Sequence, residues 1–178
     1  MKKVSFTFKA VIILAALTIH PKITAADSIA VGANAPAPTV NDETGKAFNL
    51  AKHYKQGTTL LFFYPKANTG GWTAQACSLR DNMSSLKKSG IKVIGISMDK
   101  AEDQKKFKDK NNYTFPLIAD TEGVLVKAFG VKLFTPKICG RESFLIQNGK
   151  IVWIDRKVSP KTHTEKVLAA ADALTKKK

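Results

Sequence analysis

The run Thr58 to Tyr64, Thr-Thr-Leu-Leu-Phe-Phe-Tyr, is continuously β-branched, apolar or aromatic, as in a strand buried on both faces. Pro65 ends it. Downstream, apolar residues fall at Trp72, Ala76, Leu79, Met83 and Leu86, offsets of 4, 7, 11 and 14 that predict one helix with a single buried stripe. Ile91 to Met98 predicts the next central strand, and Asp99 with Glu102 three residues on forms a capping-box pattern opening another helix. Phe115 to Ala119 predicts a short strand, and Gly123 to Phe129 a short helix closed by Gly130. Ser143 to Gln147 and Lys150 to Asp155 then flank Asn148-Gly149, a strong hairpin signal. Ser159-Pro160 opens a final helix through Leu174, with proline where a first-turn N–H would lack a partner anyway. Ahead of these elements, Ala30 to Pro38 predicts an extended lead-in. Thr39-Val40 and Ala47 to Leu50 flank the polar loop Asn41 to Lys46 as a small hairpin.

The order is therefore hairpin, β-α-β-α-β-α, β-hairpin, α. It predicts an α/β fold with a mixed central sheet, helices on both faces and an N-terminal hairpin. The closing ββα unit is the one that ends thioredoxin-like arrangements.

The N-terminus follows a different logic. Lys2, Lys3 and Lys9 precede the apolar run Ala10 to Ile19, and Thr24-Ala25-Ala26 follows, which reads as a secretory signal with a small-residue cleavage site. The expected organisation is a signal peptide over 1–26 and one domain over 27–178. Cleavage near Ala25 or Ala26 would deliver the chain to the periplasm or the extracellular space. No Cys precedes Cys77 to carry a lipid.

The full sequence has 178 residues, 44% apolar and 24% charged, which suits one globular domain that needs no metal or disulfide framework. It carries 29 Lys+Arg against 14 Asp+Glu, a formal +15. Removing residues 1–26 takes away Lys2, Lys3, Lys9 and Lys22 and no acid, leaving +11. The remaining lysines are scattered, without aromatic interleaving, so solvated faces explain them better than a nucleic-acid groove. No run approaches the roughly 20 apolar residues of a membrane span. His53 and His163 stand alone and no Cys-x-x-Cys occurs, so neither a metal nor a thioredoxin-type dithiol is expected. No glycine-rich phosphate loop follows a strand, so no nucleotide is expected either.

The segment where chemistry could sit runs from Phe63-Tyr64-Pro65-Lys66-Ala67-Asn68-Thr69-Gly70-Gly71-Trp72 to Cys77-Ser78-Leu79-Arg80-Asp81. It joins the carboxyl end of a central strand to a helix N-terminus, where open α/β sheets bind ligands and where exposed N–H groups stabilise anions, a thiolate included.

Here the chain closely resembles peroxiredoxins of the bacterioferritin-comigratory-protein, or peroxiredoxin Q, group across nearly all of its length after the leader. The family pattern is Pro-x-x-x-Thr-x-x-Cys, a second Cys five residues later, and an Arg on a late strand. Pro65 and Thr69 match, Cys77 matches the second Cys, and Arg141 in Gly-Arg-Glu-Ser-Phe-Leu-Ile matches the Arg. Tyr64-Pro65-Lys66, Arg80-Asp81 and Gly95-Ile96-Ser97-Met98-Asp99 are also similar. Where the family has its peroxide-attacking Cys, this chain has Trp72.

The resemblance implies thiol-dependent reduction of hydrogen peroxide and organic hydroperoxides in antioxidant defence, recycled by a thioredoxin-like reductant. It implies no cofactor and a monomer or weak dimer. Thr69 and Arg141 would position the peroxide oxygens, and Cys77 would resolve the sulfenic acid. An indole has no nucleophilic electron pair equivalent to a thiolate, so that cycle cannot start at residue 72 and activity is expected to be lost or strongly impaired. A single base change converts Cys to Trp. Cys77 cannot simply substitute: five helical residues place it about 140° around and about 7.5 Å along from Trp72. Its readings are a resolving residue without a partner or a core cysteine. Cys139 stands two residues before Arg141. It reads either as a thiol facing the same pocket, an alternative redox partner for Cys77, or as an exposed loop thiol near Pro136. A non-catalytic thioredoxin-fold binding module is the alternative function.

Overall fold

The computed structural model describes residues 29–67 and 70–176. The leader expected over 1–26 and Thr69 lie outside the described residues.

Strands β1 (Val40–Asn41) and β2 (Ala47–Phe48) form the expected hairpin. The helix α1 (Leu50–Tyr54) follows at once and takes in Leu50, which the sequence pattern places in the second hairpin strand. Asn49 explains the difference: its side chain accepts the Lys52 N–H at 2.9 Å and caps the helix. Strand β3 (Thr58–Phe63) is buried along nearly its whole length. The single helix expected after Pro65 is two, α2 (Gly70–Asp81) and α3 (Met83–Lys88), broken at Asn82. The Asn82 amide donates to the Ser78 carbonyl at 2.9 Å, and its backbone turns out of the helix there. The stripe survives the break, with Ala76, Leu79 and Leu86 fully enclosed.

Strand β4 (Ile91–Ser97) leads to α4 (Ala101–Asn111), whose N-cap is Lys100 with no side-chain cap. The capping box expected at Asp99 is absent because that carboxylate is engaged elsewhere. After β5 (Leu117–Ala119), helix α5 (Val124–Ala128) starts at Gly123. Asp120 takes the capping role there, accepting the Leu125 and Val126 N–H groups at 3.1 and 2.9 Å. A small hairpin that the pattern did not reveal, β6 (Leu133–Thr135) with β7 (Ile138–Cys139), precedes β8 (Glu142–Gln147) and β9 (Lys150–Asp155). Helix α6 (His163–Thr175) begins three residues after Pro160, residues 160–162 forming a turn.

The central sheet has the order β5-β4-β3-β8-β9, with β3, β4 and β5 parallel and β8 and β9 antiparallel to their neighbours. This is the expected mixed sheet. Alternation along β3 divides the core. Leu61 and Phe63 face a cluster with α1, α5 and Cys139, whereas Leu60 and Phe62 face a cluster with Leu79, Leu86, Phe107 and Val167 from α2, α3, α4 and α6. The exposed edge at β5 is covered by the β1–β2 turn: Glu43 accepts the Leu117 N–H at 2.9 Å and contacts Lys108.

The sheet centre is tightly filled. A Cβ on Gly95 in β4 would lie 2.6 Å from Leu117 Cδ2 and 2.8 Å from Phe62 Cζ. Gly95→Ala should therefore lower the urea midpoint, with a loss of about 1–3 kcal/mol from overpacking. An unchanged midpoint would show that these side chains yield freely.

Candidate active site

The β3–β8 ladder ends at Phe63 opposite Glu142, so Tyr64 and Arg141 come next to each other at the carboxyl end of β3. Pro65 is buried there and Arg141 is half-buried. Burial lowers the Arg141 pKa from its ordinary value, and the guanidinium remains charged. The backbone of Trp72 lies in the first turn of α2, which begins at Gly70. Its side chain lies outside the described part of the structure.

The loop between Pro65 and α2 is fixed from β4. Asp99 accepts the Ala67 N–H at 2.7 Å and the Ser97 hydroxyl at 2.7 Å. Gln104, fully buried on α4, donates to Ser97 Oγ at 2.8 Å and to the Ile118 carbonyl at 2.9 Å, and accepts from the Tyr64 hydroxyl. Burial raises the Tyr64 pKa, so its phenol stays protonated as that donor. Three elements thus hold the loop entry from behind. In the sequence pattern Ser97 reads as part of the strand and Asp99 as a helix cap, so neither signals this clamp.

The two cysteines are separated by the sheet. Cys77 is half-buried on α2, packs against the second cluster and lies 3.6 Å from the Tyr113 hydroxyl. It also lines a shallow hollow with Ser78, Asp81, Pro160 and Lys161. Cys139 is 0% exposed in the first cluster, and its thiol donates to the Tyr64 carbonyl at 3.3 Å. The exposed-loop reading of Cys139 is therefore corrected: the β6–β7 hairpin turns it inward. Burial pushes its pKa up to about 12, which opposes thiolate chemistry.

Both thiols are free. Because their clusters lie on opposite faces of the sheet, alkylation under denaturing conditions should count two thiols in protein kept under air. A count of zero in protein that runs as a monomer without reductant would demonstrate the Cys77–Cys139 bond.

A further buried histidine packs against Phe62 of β3. His163, at the start of α6, is 0% exposed, and its Nε2 lies 2.9 Å from Ser143 Oγ on β8. Its Nδ1 is buried with no hydrogen-bond partner. In sequence it was a solitary histidine.

Comparison with known proteins places this geometry. Residues 31–154 match the AhpC/TSA family. The Escherichia coli (strain K12) peroxiredoxin Bcp is 40% identical over 141 residues, covering 75% of this chain and 90% of that protein. The chloroplastic peroxiredoxin Q of Oryza sativa subsp. japonica is 35% identical over 150 residues, 82% of this chain and 68% of that one. Among solved structures, peroxidoxin BcpB from Mycobacterium tuberculosis superposes with a TM-score of 0.75 at 30% identity, covering 80% and 96% of the two chains. The bacterioferritin comigratory protein of Xanthomonas campestris, studied for alkyl peroxide reduction, gives 0.69 at 28% identity over 78% and 96%. With a thioredoxin-like sheet, a strand-to-helix loop at the carboxyl end of β3 and these relatives, the chain belongs to the AhpC/TSA family, in its Bcp and peroxiredoxin Q branch.

Proposed function

We propose that this protein is an exported member of the peroxiredoxin family whose peroxidase cycle is disabled at its first step. The carrying observation is Trp72 in the opening turn of α2, at the position where the family pattern has its nucleophile. In that cycle a thiolate attacks the peroxide O–O bond, becoming a sulfenic acid and releasing water or an alcohol. A second thiol then condenses with it, releasing water and forming a disulfide that a thioredoxin-type dithiol reduces. Pro65 follows the end of β3 and Arg141 precedes β8 beside it, Thr69 is assigned to the peroxide by resemblance, and Cys77 holds the resolving position of the family pattern. Of these only Cys77 carries a thiol, and five helical residues turn it about 140° away from residue 72.

Peroxide consumption coupled to a thioredoxin system tests the reading. The chain as it stands should give background rates. Substantial turnover abolished by Cys139→Ser would overturn it and make Cys139 the nucleophile.

The same frame supports a second reading, a non-catalytic binding module. The Asp99–Ala67 and Gln104–Tyr64 contacts keep the loop entry in place without any need for turnover. Export rests on the basic-apolar-small pattern of residues 1–26. Mass spectrometry of protein from its native host should find an N-terminus near Ala26 or Asp27, and an intact Met1 in the cytosol would refute export. Among the described residues no helix is long and apolar enough to cross a membrane.

A further inference from the structure

The end of the sheet opposite the candidate active site is built by segments 49–60, 84–94 and 145–152. They hold Lys52, Lys55, Lys87, Lys88, Lys92 and Lys150, and no Asp or Glu. These lysines are scattered along the chain, and the ladders gather them. Thr58 at the amino end of β3 pairs with Ile91 at the amino end of β4 and with Gln147 at the carboxyl end of β8. Gln147 pairs in turn with Lys150 at the start of β9. The loops ahead of β3 and β4 lie in contact, since a Cβ on Gly57 would stand 3.6 Å from the Gly90 carbonyl oxygen. Lys87 and Lys92 line one cavity of about 200 Å3 together with His53.

The charges of this end are not cancelled within the fold. Ion pairs among the described residues engage Arg80, Lys105, Lys108, Arg156 and Lys166, and none of the six. Lys92 donates to Gln56 Oε1 at 2.6 Å and Lys150 to Asn34 Oδ1 at 3.2 Å, both neutral acceptors. Lys92 is half-buried and the other five are exposed. Burial first, and then Lys92 and Lys52, hold the His53 pKa below its ordinary value, so the fields of these lysines overlap. Helix dipoles do not account for the set. Lys52, Lys87 and Lys88 lie in the last turns of α1 and α3, yet a helix end offers only about half an elementary charge.

The make-up of the patch selects its partner. Lysines without arginine form a field of point charges rather than forks fitted to single phosphates. No large hydrophobic side chain is exposed on these segments, and His53 is stacked on Phe48, so no open ring waits for a nucleic-acid base. Clusters of roughly four to eight basic residues are what anionic lipid headgroups attract. We infer that this end of the sheet docks on anionic phospholipid bilayers through the six lysines, electrostatically and without insertion. The six residues of β3 separate this surface from Pro65 by about 20 Å, so a docked chain keeps the candidate active site turned away from lipid. The inference goes beyond the proposed peroxiredoxin reading and stands whether or not the chain turns over peroxide.

Co-sedimentation with lipid vesicles, using protein purified from its native host, tests the inference. Vesicles of roughly 7:3 phosphatidylcholine to phosphatidylglycerol should retain the protein at about 0.05 M salt and release it, by about tenfold in affinity or more, at about 0.3 M. Vesicles of phosphatidylcholine alone should retain little. The triple variant Lys55→Gln, Lys87→Gln, Lys88→Gln should bind the anionic vesicles at least about tenfold more weakly. A control of equal net charge, Lys100→Gln, Lys157→Gln, Lys161→Gln, removes exposed lysines that follow β4 and β9 at the other end of the sheet, and should lose less than about threefold. Equal losses in the two triple variants would reduce the effect to net charge and overturn the inference. So would equal retention by uncharged vesicles, or no retention by anionic ones. Tighter binding of a DNA duplex at the same phosphate concentration, lost in the first variant and kept in the control, would overturn it in favour of nucleic acid. Peroxide turnover enters none of these readouts.

Discussion

Trp72→Cys is expected to convert a protein with background peroxide consumption into a thioredoxin-dependent peroxidase. The gain should be on the order of 100-fold or more, the scale on which single reacting groups register in kinetics. The substituted thiol would sit in the first turn of α2, a 12-residue helix with no acidic side chain in that turn. Its exposed N–H groups would favour a thiolate over a thiol, as would Arg141 in the role that the family resemblance gives it. The loop carrying it is already anchored through Ala67 to Asp99. Cys77 lies five residues on with a free, half-buried thiol.

Closing a bond between those two positions requires α2 to unwind, because about 8.6 Å separates Cα atoms five residues apart on a helix and a disulfide needs under about 7 Å. Adding Cys77→Ser to Trp72→Cys should therefore leave one rapid peroxide reduction per chain while depressing thioredoxin-coupled turnover. If Trp72→Cys folds normally, judged by circular dichroism, and still consumes no peroxide, the frame itself has lost the activity. The binding-module reading then takes precedence.

How much of this was legible in the sequence depended on the length scale of each signal. Strands β3 and β4 could be read because doubly buried strands carry unbroken β-branched and aromatic runs, and Asn148-Gly149 marked the β8–β9 hairpin. Helix α1 and the β6–β7 hairpin have two to five residues per element, too few to complete a hydrophobic period. The break at Asn82 escaped because the buried stripe runs on through α3 in phase. The site was legible as a motif and not as a mechanism of support. Asp99, Gln104 and Cys139 act on Ala67 and Tyr64 from 32 to 75 residues away, and nothing local in a sequence encodes such partners.

The largest pH effect should come from His163. Burial lowers its pKa from 6.5 to about 4, with nearby Lys166 adding to that shift and Asp155 opposing it. The folded state thus holds a neutral imidazole, its Nε2 against Ser143 Oγ and its Nδ1 enclosed without a partner. The unfolded chain binds a proton near pH 6.5 that the folded chain refuses until about pH 4, so the unfolded state gains on acidification. Stability from this group is complete above pH 6.5, falls through the window between these values, and levels off below it. At pH 5 the loss should be about 2 kcal/mol, from 1.36 kcal/mol per pH unit.

His53 shifts in the same direction, by partial burial and by Lys92 and Lys52, while Asp120, raised by burial, acts oppositely at lower pH. Comparison with His163→Gln isolates the contribution, because glutamine cannot titrate and keeps an amide available to Ser143. Urea unfolding at pH 7 and pH 5 should show a steeper fall for the unmodified chain than for His163→Gln. Equal falls in the two proteins would mean that the α6–β8 contact opens to admit the proton without unfolding, and that His163 is neutral in the folded state only by the strength of a local closure.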